Sequence, residues 1–238
     1  MVILQPHQTS NKQSMETQSM ATHHLLLLLL CSAHFFLSPC RSDPDPLQDF
    51  CVANLRASDI TVDGFPCKPT SGVAADDFFS TVLSKEGNTN NVFSSNLTSA
   101  NVLSFPGLNT LGLSMNRVDF APGGVNPPHS HPRSAELVLV TKGRLLVGFV
   151  STSNVFYSRV VKAGEIFVIP RGLVHFQYNV GKKKALAITV FNSQLPGAVV
   201  APLALFGSKP AIPSEVLAKA FQVDQQVVKL IKSKFGTS

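Results

Sequence analysis

Short apolar runs follow one another between Leu113 and Asn192, and turn residues separate them. Short strands at this spacing, divided by turn signals such as Lys142-Gly143, are typical of an all-β sandwich or barrel. Closing the sheet into a barrel leaves little exposed strand edge. The expected strands are Leu113–Phe120, Glu136–Val140, Leu145–Val150, Val155–Val161, Ile166–Ile169, Val174–Val180 and Ala185–Phe191. We therefore predict an all-β fold with a barrel core at about residues 105–195.

The apolar spacing becomes helical near the C-terminus, over about residues 213–235. Ser214 is a plausible N-cap of one helix and Asp224 of a second. The expected apolar positions are Val216, Leu217, Ala220 and Phe221 in the first helix and Val227, Val228, Ile231 and Phe235 in the second. The expected polar face of the second helix carries Lys229, Lys232 and Lys234. Two short amphipathic helices of this kind either cover the barrel or clasp a neighbouring subunit.

An apolar segment near the N-terminus begins with the leucine run Leu25–Leu30 and continues to Leu37. It is shorter than the roughly 20 residues that a membrane span needs, and small, turn-forming residues follow it. This pattern is typical of a secretory signal peptide, with an uncleaved anchor as the alternative. Residues 1–19 are polar and long for the start of a signal, so Met20 is an alternative first residue. We predict a removed leader over residues 1–42, a single secreted domain over residues 43–238 and no membrane attachment after cleavage.

Charge gives little reason to expect a nucleic-acid partner. The formal net charge is +6, and removing residues 1–42 leaves about +5, mildly basic and dispersed. The one basic cluster, residues 182–184, follows Gly181 between two apolar runs and is interpreted as a solvated hairpin turn. Interleaved basic and aromatic residues, which mark nucleic-acid surfaces, are missing from the sequence.

Cysteine usage and a glycosylation motif agree with export. Of the four cysteines, two lie in the predicted leader, which leaves Cys51 and Cys67. An even pair in an exported chain favours a disulfide, which would stabilise the fold by about 3 kcal/mol. Asn96-Leu97-Thr98 is an N-glycosylation sequon in a polar stretch, residues 88–101, that we expect to be an exposed loop.

The sequence has seven histidines, and the three that follow residue 42 all lie in two spaced motifs. The motifs are Gly123-x5-His129-x-His131-x4-Glu136-x6-Gly143 and Gly164-x5-Pro170-x-Gly172-x2-His175-x3-Asn179. Imidazole nitrogens and a carboxylate oxygen suit several divalent ions. Ordinary hydrogen-bonded histidines and a surface glutamate are the alternative. We predict one metal site formed by His129, His131, Glu136 and His175.

The spacing sets conditions on how this site can form. His129 and His131 would point to the same side of a strand, whereas Glu136 has the opposite parity. A bulge or bend at Pro132 could reset the phase, and closure of the barrel would bring the hairpin that carries His175 face to face with the first. Four protein ligands would close a tetrahedral zinc site but leave two positions open on a six-coordinate ion. The ligand types alone leave both alternatives open.

The two motifs match the cupin signature at every fixed position, and the flanking sequence resembles plant germins and germin-like proteins. The resemblance covers essentially all of residues 43–238. The segments that carry it are Asp43–Cys51, Phe120–Gly124, Pro127–Arg133, Ile169–Gln177 and Ser233–Phe235.

The resemblance implies a single cupin jelly-roll β-barrel that binds manganese, is secreted to the apoplast and assembles as a homohexamer, a trimer of dimers. His129, His131, Glu136 and His175 match the family's manganese ligands, and Cys51 with Cys67 match its disulfide. Asn116 and Asn126 match two asparagines that lie beside the metal in oxalate-degrading germins. Amide donors near a cation could hold a small dianion such as oxalate, although both residues could instead serve the backbone.

Four functions are compatible with this ligand set. The preferred hypothesis is a secreted manganese-binding germin-like protein in cell-wall defence, with enzyme activity left open. As an enzyme it would be a manganese-dependent oxidoreductase: either an oxalate oxidase that forms carbon dioxide and hydrogen peroxide, or a superoxide dismutase. The fourth hypothesis is a wall-associated binding protein in which the metal serves structure.

Overall fold

The computed structural model describes residues 51–56 and 64–235, all of them within the unit Ser42–Ser238. The leader predicted over residues 1–42 and the first residues of the predicted domain lie outside the described residues. Among the described residues, no helix has the length and apolar character needed to cross a membrane.

Ten strands form two five-stranded antiparallel sheets within the described chain. The strands are β1 (Ser95–Ala100), β2 (Ser114–Phe120), β3 (Val125–Ser130), β4 (Glu136–Lys142), β5 (Arg144–Val150), β6 (Phe156–Lys162), β7 (Ile166–Ile169), β8 (Val174–Asn179), β9 (Ala185–Phe191) and β10 (Val199–Val200). One sheet has the order β1-β2-β9-β4-β7 and the other the order β10-β3-β8-β5-β6. The predicted all-β barrel fold is confirmed.

The apolar runs located most of these strands but missed three. β7 and β9 have the predicted bounds, and the other five expected strands agree within one or two residues at each end. β1, β3 and β10 were not predicted. β1 lies in the stretch that we expected to be an exposed loop, and that expectation was wrong. Asn96 is a half-buried residue of this strand. β1 forms an edge of its sheet and pairs with β2 alone, so backbone pairing rather than apolar alternation defines it.

Alternating residues of the strands fill the barrel interior. On β2, β4 and β9 the inward positions are buried, and the outward ones, except Asp119, are more exposed, as the two-residue period of a strand requires. Away from the histidines the interior is apolar, and burying each of its larger side chains contributes about 1.5–3 kcal/mol. This apolar core consists of Val118, Phe120, Val138, Val140, Leu145, Val147, Val161, Ile169, Ala185 and Ala187.

Up to residue 235, where the described part ends, three α-helices follow the barrel strands: α1 (Ala201–Phe206), α2 (Ser214–Phe221) and α3 (Gln225–Ser233). α1 was not predicted. Short 3-10 helices lie at Thr70–Gly72, Ala75–Phe78 and Pro106–Leu108. Leu217, Ala218 and Val228 form a small buried cluster, against which Leu205, Phe206 and Ile212 pack. α2 and α3 therefore bury their apolar residues chiefly against each other and against α1, whereas α1 also contacts β3 and β10.

Several details of the predicted helices were wrong. Pro213 rather than Ser214 occupies the N-cap of α2, and the Ser214 hydroxyl accepts a hydrogen bond from the Lys232 ammonium at 3.1 Å. Lys232, expected on the polar face, is buried and also donates to the Ile212 carbonyl. Val216 and Phe221, expected on the apolar face, are about half exposed. The helix pair thus buries a face rotated from the predicted one.

A disulfide joins Cys51 and Cys67, whose Cα atoms are 4.9 Å apart. The buried Asn109 side chain holds the same segment: its amide donates to the Phe65 carbonyl at 2.8 Å, and its carbonyl accepts from the Phe65 N–H at 2.9 Å. The disulfide and this two-way hydrogen-bonded contact thus both hold the segment before the barrel, together with backbone hydrogen bonds such as that from the Ala53 N–H to the Pro106 carbonyl.

Candidate metal centre

The four predicted ligands come from both sheets. His129 on β3 lies directly opposite His175 on β8 in one sheet, and His131 follows β3 by one residue. Glu136 begins β4 in the other sheet. The sequence led us to expect the two histidine hairpins face to face, but β3 and β8 are neighbours in one sheet. The Glu136 carboxylate reaches the site from the facing sheet. The connection over residues 131–135 resets the side-chain parity by leaving one sheet for the other.

The ligand atoms of these four residues all lie within 4.8 Å of one another, and all four side chains are buried. The Glu136 Oε2 atom is 2.7 Å from His175 Nε2 and 3.2 Å from His131 Nε2. The His129 ring lies 4.1 Å from the His175 ring and 5.0 Å from the His131 ring, between centroids. One small cation can contact all four groups at such separations.

Backbone carbonyls orient each imidazole. The Nδ1 atoms of His129, His131 and His175 lie 2.8, 2.5 and 2.9 Å from the carbonyl oxygens of Pro127, Gly197 and Leu173. A carbonyl oxygen can only accept a hydrogen bond, so each Nδ1 carries the proton and donates. The neutral ring then presents its Nε2 lone pair, which is how a second hydrogen bond fixes the metal-binding tautomer.

Charges in the cluster favour an ionised Glu136 and a neutral His129, and they favour the charged form of His131. Burial opposes ionisation of Glu136, but hydrogen bonds with His131 and His175 outweigh it and lower the pKa of Glu136 to about 2. Burial, with the neighbouring charge of His175, lowers the pKa of His129 to about 4. Burial also opposes charging of His131, but hydrogen bonding with Glu136 outweighs it and raises the pKa of His131.

These donors fit a divalent metal ion. Three imidazole nitrogens and a carboxylate oxygen converge in a buried space, where lone pairs facing one another repel unless a proton or a cation lies between them. A cation bound there displaces any proton held on Nε2, because metal ligands bind in their deprotonated forms. The residues present are therefore chemically and geometrically suited to hold one metal ion.

Two further polar side chains connect to the centre through hydrogen bonds. The Asn126 amide donates to Gln177 Oε1 at 2.7 Å, and the Gln177 amide donates to Glu136 Oε1 at 3.2 Å. Gln177 is fully buried, and it bonds Oε1 of Glu136, whereas His175 contacts Oε2. Sequence reasoning missed Gln177, although it lies two residues after His175 and strand parity puts both on one face.

Asn116, predicted beside the metal, is buried on β2 directly opposite Thr189 of β9. This pair lies one interior row from Glu136, because Thr189 is also opposite Val138, two residues after Glu136 on β4. Asn179, the last position of the second motif, has a different place: its amide donates to the carbonyls of Ala121 and Lys183, both at 2.9 Å. It therefore supports the exposed lysine turn between β8 and β9.

Comparison with known proteins identifies the class of this fold and site. Residues 81–229 match the family model described as Cupin. The chain is 57% identical over 230 residues to germin-like protein 3-7 of Oryza sativa subsp. japonica, covering 95% of this chain and 99% of that protein. The chain therefore belongs to the cupin family, and within it to the plant germin-like proteins.

Oxalate oxidases are among the similar proteins. The chain is 58% identical over 198 residues to oxalate oxidase 1 of Hordeum vulgare, covering 82% of this chain and 98% of that protein. A solved structure of recombinant oxalate oxidase in complex with glycolate matches with a TM-score of 0.79 and 58% identity, over 82% of this chain and 98% of that one. Identity to named oxalate oxidases and to named germin-like proteins is thus equally high.

Proposed function

We propose that the chain is a secreted, manganese-binding germin-like protein that acts in defence of the plant cell wall, and that oxalate oxidation is the activity its centre supports best. The observation that carries the proposal is the buried group of three histidines and one glutamate. The identity of about 58% to an oxalate oxidase supports the choice of activity.

Manganese suits the donor set because a six-coordinate ion held by four protein ligands keeps two positions for an anion or dioxygen. Zinc held tetrahedrally by the same four ligands would have none. The residues that would hold manganese are His129, His131, Glu136 and His175. When bound, manganese supplies a positive charge that orients an anion and a redox-active centre that accepts electron density.

The chain's own residues then bind and orient the substrate. Oxalate gives up two electrons as its carbon–carbon bond breaks, forming two carbon dioxide molecules, and dioxygen takes up the two electrons and two protons to form hydrogen peroxide. The amides of Asn116 and Asn126 hydrogen-bond the anion's oxygens, while Gln177 holds Glu136 in place. Burial of the four ligands excludes bulk water and strengthens these electrostatic contacts.

Assembly as a homohexamer, a trimer of dimers, is part of the proposal. Met115, Val190, Leu137 and Val168 lie directly opposite one another across four strands, and each is more than a third exposed. Val216, Phe221, Val227 and Leu230 form a second set of exposed apolar residues on α2 and α3. Exposed apolar patches of this kind mark protein interaction sites, and two different patches allow two kinds of subunit contact.

Export completes the proposal. It comprises removal of residues 1–42 as a signal peptide, a mature domain of residues 43–238, a glycan on Asn96 and residence in the apoplast. The Cys51–Cys67 disulfide supports an oxidising compartment. Sequencing the N-terminus of the secreted protein, together with its mobility before and after glycosidase treatment, tests these points.

The decisive experiment measures oxalate-dependent hydrogen peroxide release by secreted protein of known manganese occupancy. We expect release from the wild type and none from His175→Ala, which removes one ligand. Fully manganese-loaded protein that consumes no oxalate would contradict the proposed activity. A superoxide dismutation rate above that of free manganese at equal metal concentration would then favour the dismutase hypothesis.

A further inference from the structure

One hydroxyl inside the barrel lacks a hydrogen bond. Thr189 on β9 is 1% exposed, and in the part of the chain that the structure describes its Oγ1 atom has no hydrogen-bond partner. Buried polar groups are nearly always paired, because leaving one unpaired costs its hydration without replacing it. An unpaired hydroxyl in this position therefore indicates a partner outside the described residues, such as a bound ligand.

The register of the strands places this hydroxyl beside the metal centre. Thr189 lies directly opposite Asn116 on one neighbouring strand and Val138 on the other. Side chains that are directly opposite point to the same face of a sheet, and all three residues are buried. Glu136 precedes Val138 by two residues, so its side chain points to the same face. Glu136 is therefore a diagonal neighbour of Thr189, a relation that separates two Cα atoms by about 7–8 Å.

The facing sheet supplies no partner for Thr189. The amides of Asn126 and Gln177 in that sheet donate to Gln177 and to Glu136 respectively, and neither side chain bonds the Thr189 hydroxyl. A threonine hydroxyl can donate one hydrogen bond and accept others, so Thr189 adds a donor next to the Asn116 amide. Together these two residues form a polar strip on β2 and β9, adjacent to the ligand carboxylate.

We propose that Thr189 is a ligand-recognition residue whose hydroxyl donates a hydrogen bond to an oxygen of a small carboxylate anion held at the metal centre. The anion class is a two-carbon carboxylate with a second oxygen function, such as oxalate or glycolate. This inference rests on the proposed function, because it requires an anion beside the metal. It adds a specificity determinant that the four ligands and the two asparagines do not include.

The test compares Thr189→Val, which keeps the shape and removes the hydroxyl, with Thr189→Ser, which keeps the hydroxyl. Glycolate binding to manganese-loaded protein is measured by titration calorimetry, and manganese content is measured separately. We expect Thr189→Val to bind glycolate about 10- to 100-fold more weakly, the range for a hydrogen bond to a charged group. Thr189→Ser should stay within about threefold of the wild type, and both variants should keep full manganese.

The melting temperature of the metal-free protein is a second measurement. Thr189→Val should lower it if the hydroxyl has a structural role and raise it if the hydroxyl serves only the ligand. Removing an unpaired buried hydroxyl should raise the melting temperature of Thr189→Val by a few degrees. Thr152→Val makes the same change in an exposed turn and should alter neither the melting temperature nor glycolate binding.

Each contrary result has a distinct meaning. Equal glycolate affinity of the wild type and Thr189→Val would overturn the role of Thr189 and leave the proposed function intact. A lowered melting temperature of Thr189→Val with unchanged affinity would overturn it in favour of a hydroxyl that holds an internal water. A fully manganese-loaded wild type that binds no glycolate and consumes no oxalate would overturn both the proposed function and this inference.

Discussion

The same strands line both ends of the barrel interior, but one end is an apolar core and the other is the candidate metal centre. On β4, the inward positions run from Glu136 through Val138 to Val140, and on β9 from Phe191 through Thr189 to Ala187. At one end these residues meet three histidines, and at the other they join the apolar core. The inward positions of the same two strands thus carry apolar core residues at one end and polar residues of the candidate centre at the other.

The difference between the ends teaches how stability and function are divided. The apolar end gains free energy from burial alone. The metal end buries a carboxylate, imidazoles and an unpaired hydroxyl, which costs free energy until a ligand compensates. We therefore expect substitutions at the apolar end to change stability whether or not metal is bound, and substitutions at the metal end to act chiefly through the metal.

The largest effect should come from Phe120→Ala in the apolar core. Phe120 is 1% exposed, and deleting a buried aromatic side chain typically costs about 3–5 kcal/mol. Urea unfolding of metal-free and manganese-loaded protein should show the same loss in both. Phe79→Ala removes the same atoms from a side chain that is 68% exposed and should change stability by less than about 0.5 kcal/mol. A loss confined to the loaded protein would refute the division of roles.

The next effect concerns Glu136→Gln. Manganese at about 1,000 times its dissociation constant should stabilise the wild type by about 4 kcal/mol. The variant should lose most of this gain, because an amide is a weak ligand beside three histidines. Glu215→Gln, on the exposed surface of α2, should retain all of it. Unfolding curves with and without manganese measure the gain, and an unchanged gain in Glu136→Gln would remove this residue from the ligand set.

The smallest effect should come from Gln177→Leu, which breaks the chain of hydrogen bonds from Asn126 to Glu136 without removing a ligand. Loss of a group that orients a metal ligand typically weakens metal affinity about 10- to 100-fold. Competition with a chelator of known manganese affinity measures the change. Gln226→Leu, at an exposed position of α3, is the matched control. Equal affinities in all three proteins would show that Gln177 does not position Glu136.

Sequence pattern predicted the strands whose alternation or apolar run was strong, and it failed where other forces define the element. β9 was predicted to the residue because Ala185–Phe191 is continuously apolar except for Thr189. β3 was missed because its sequence contains Pro127 and Pro128, which suppress a strand prediction. The predicted buried face of the two C-terminal helices was wrong because α2 and α3 pack against each other and against α1. The apolar periodicity of a single helix does not predict such a contact between helices.

The candidate centre was likewise predictable from the sequence only in part. Spacing and residue type singled out the four residues that the structure brings within 4.8 Å. Spacing did not reveal that His129 and His175 are direct strand neighbours, because register between distant strands is set by the whole sheet. Strand parity could have identified Gln177, because it lies two residues after His175 on the same strand. It could not have identified Thr189, because the importance of that residue comes from having no partner in the described chain.

The carbonyls that orient the histidines also imply a sequence of events as the chain folds. His129 and His175 are each held by a carbonyl two residues earlier, a closure over a very short stretch of chain that carries little entropic penalty. The carbonyl that holds His131 belongs to Gly197, 66 residues away, and we expect this hydrogen bond to form only once β9, which precedes Gly197, is in place. A nascent chain would therefore offer two correctly turned imidazoles early and the third at the end, so that metal capture reports completion of the barrel.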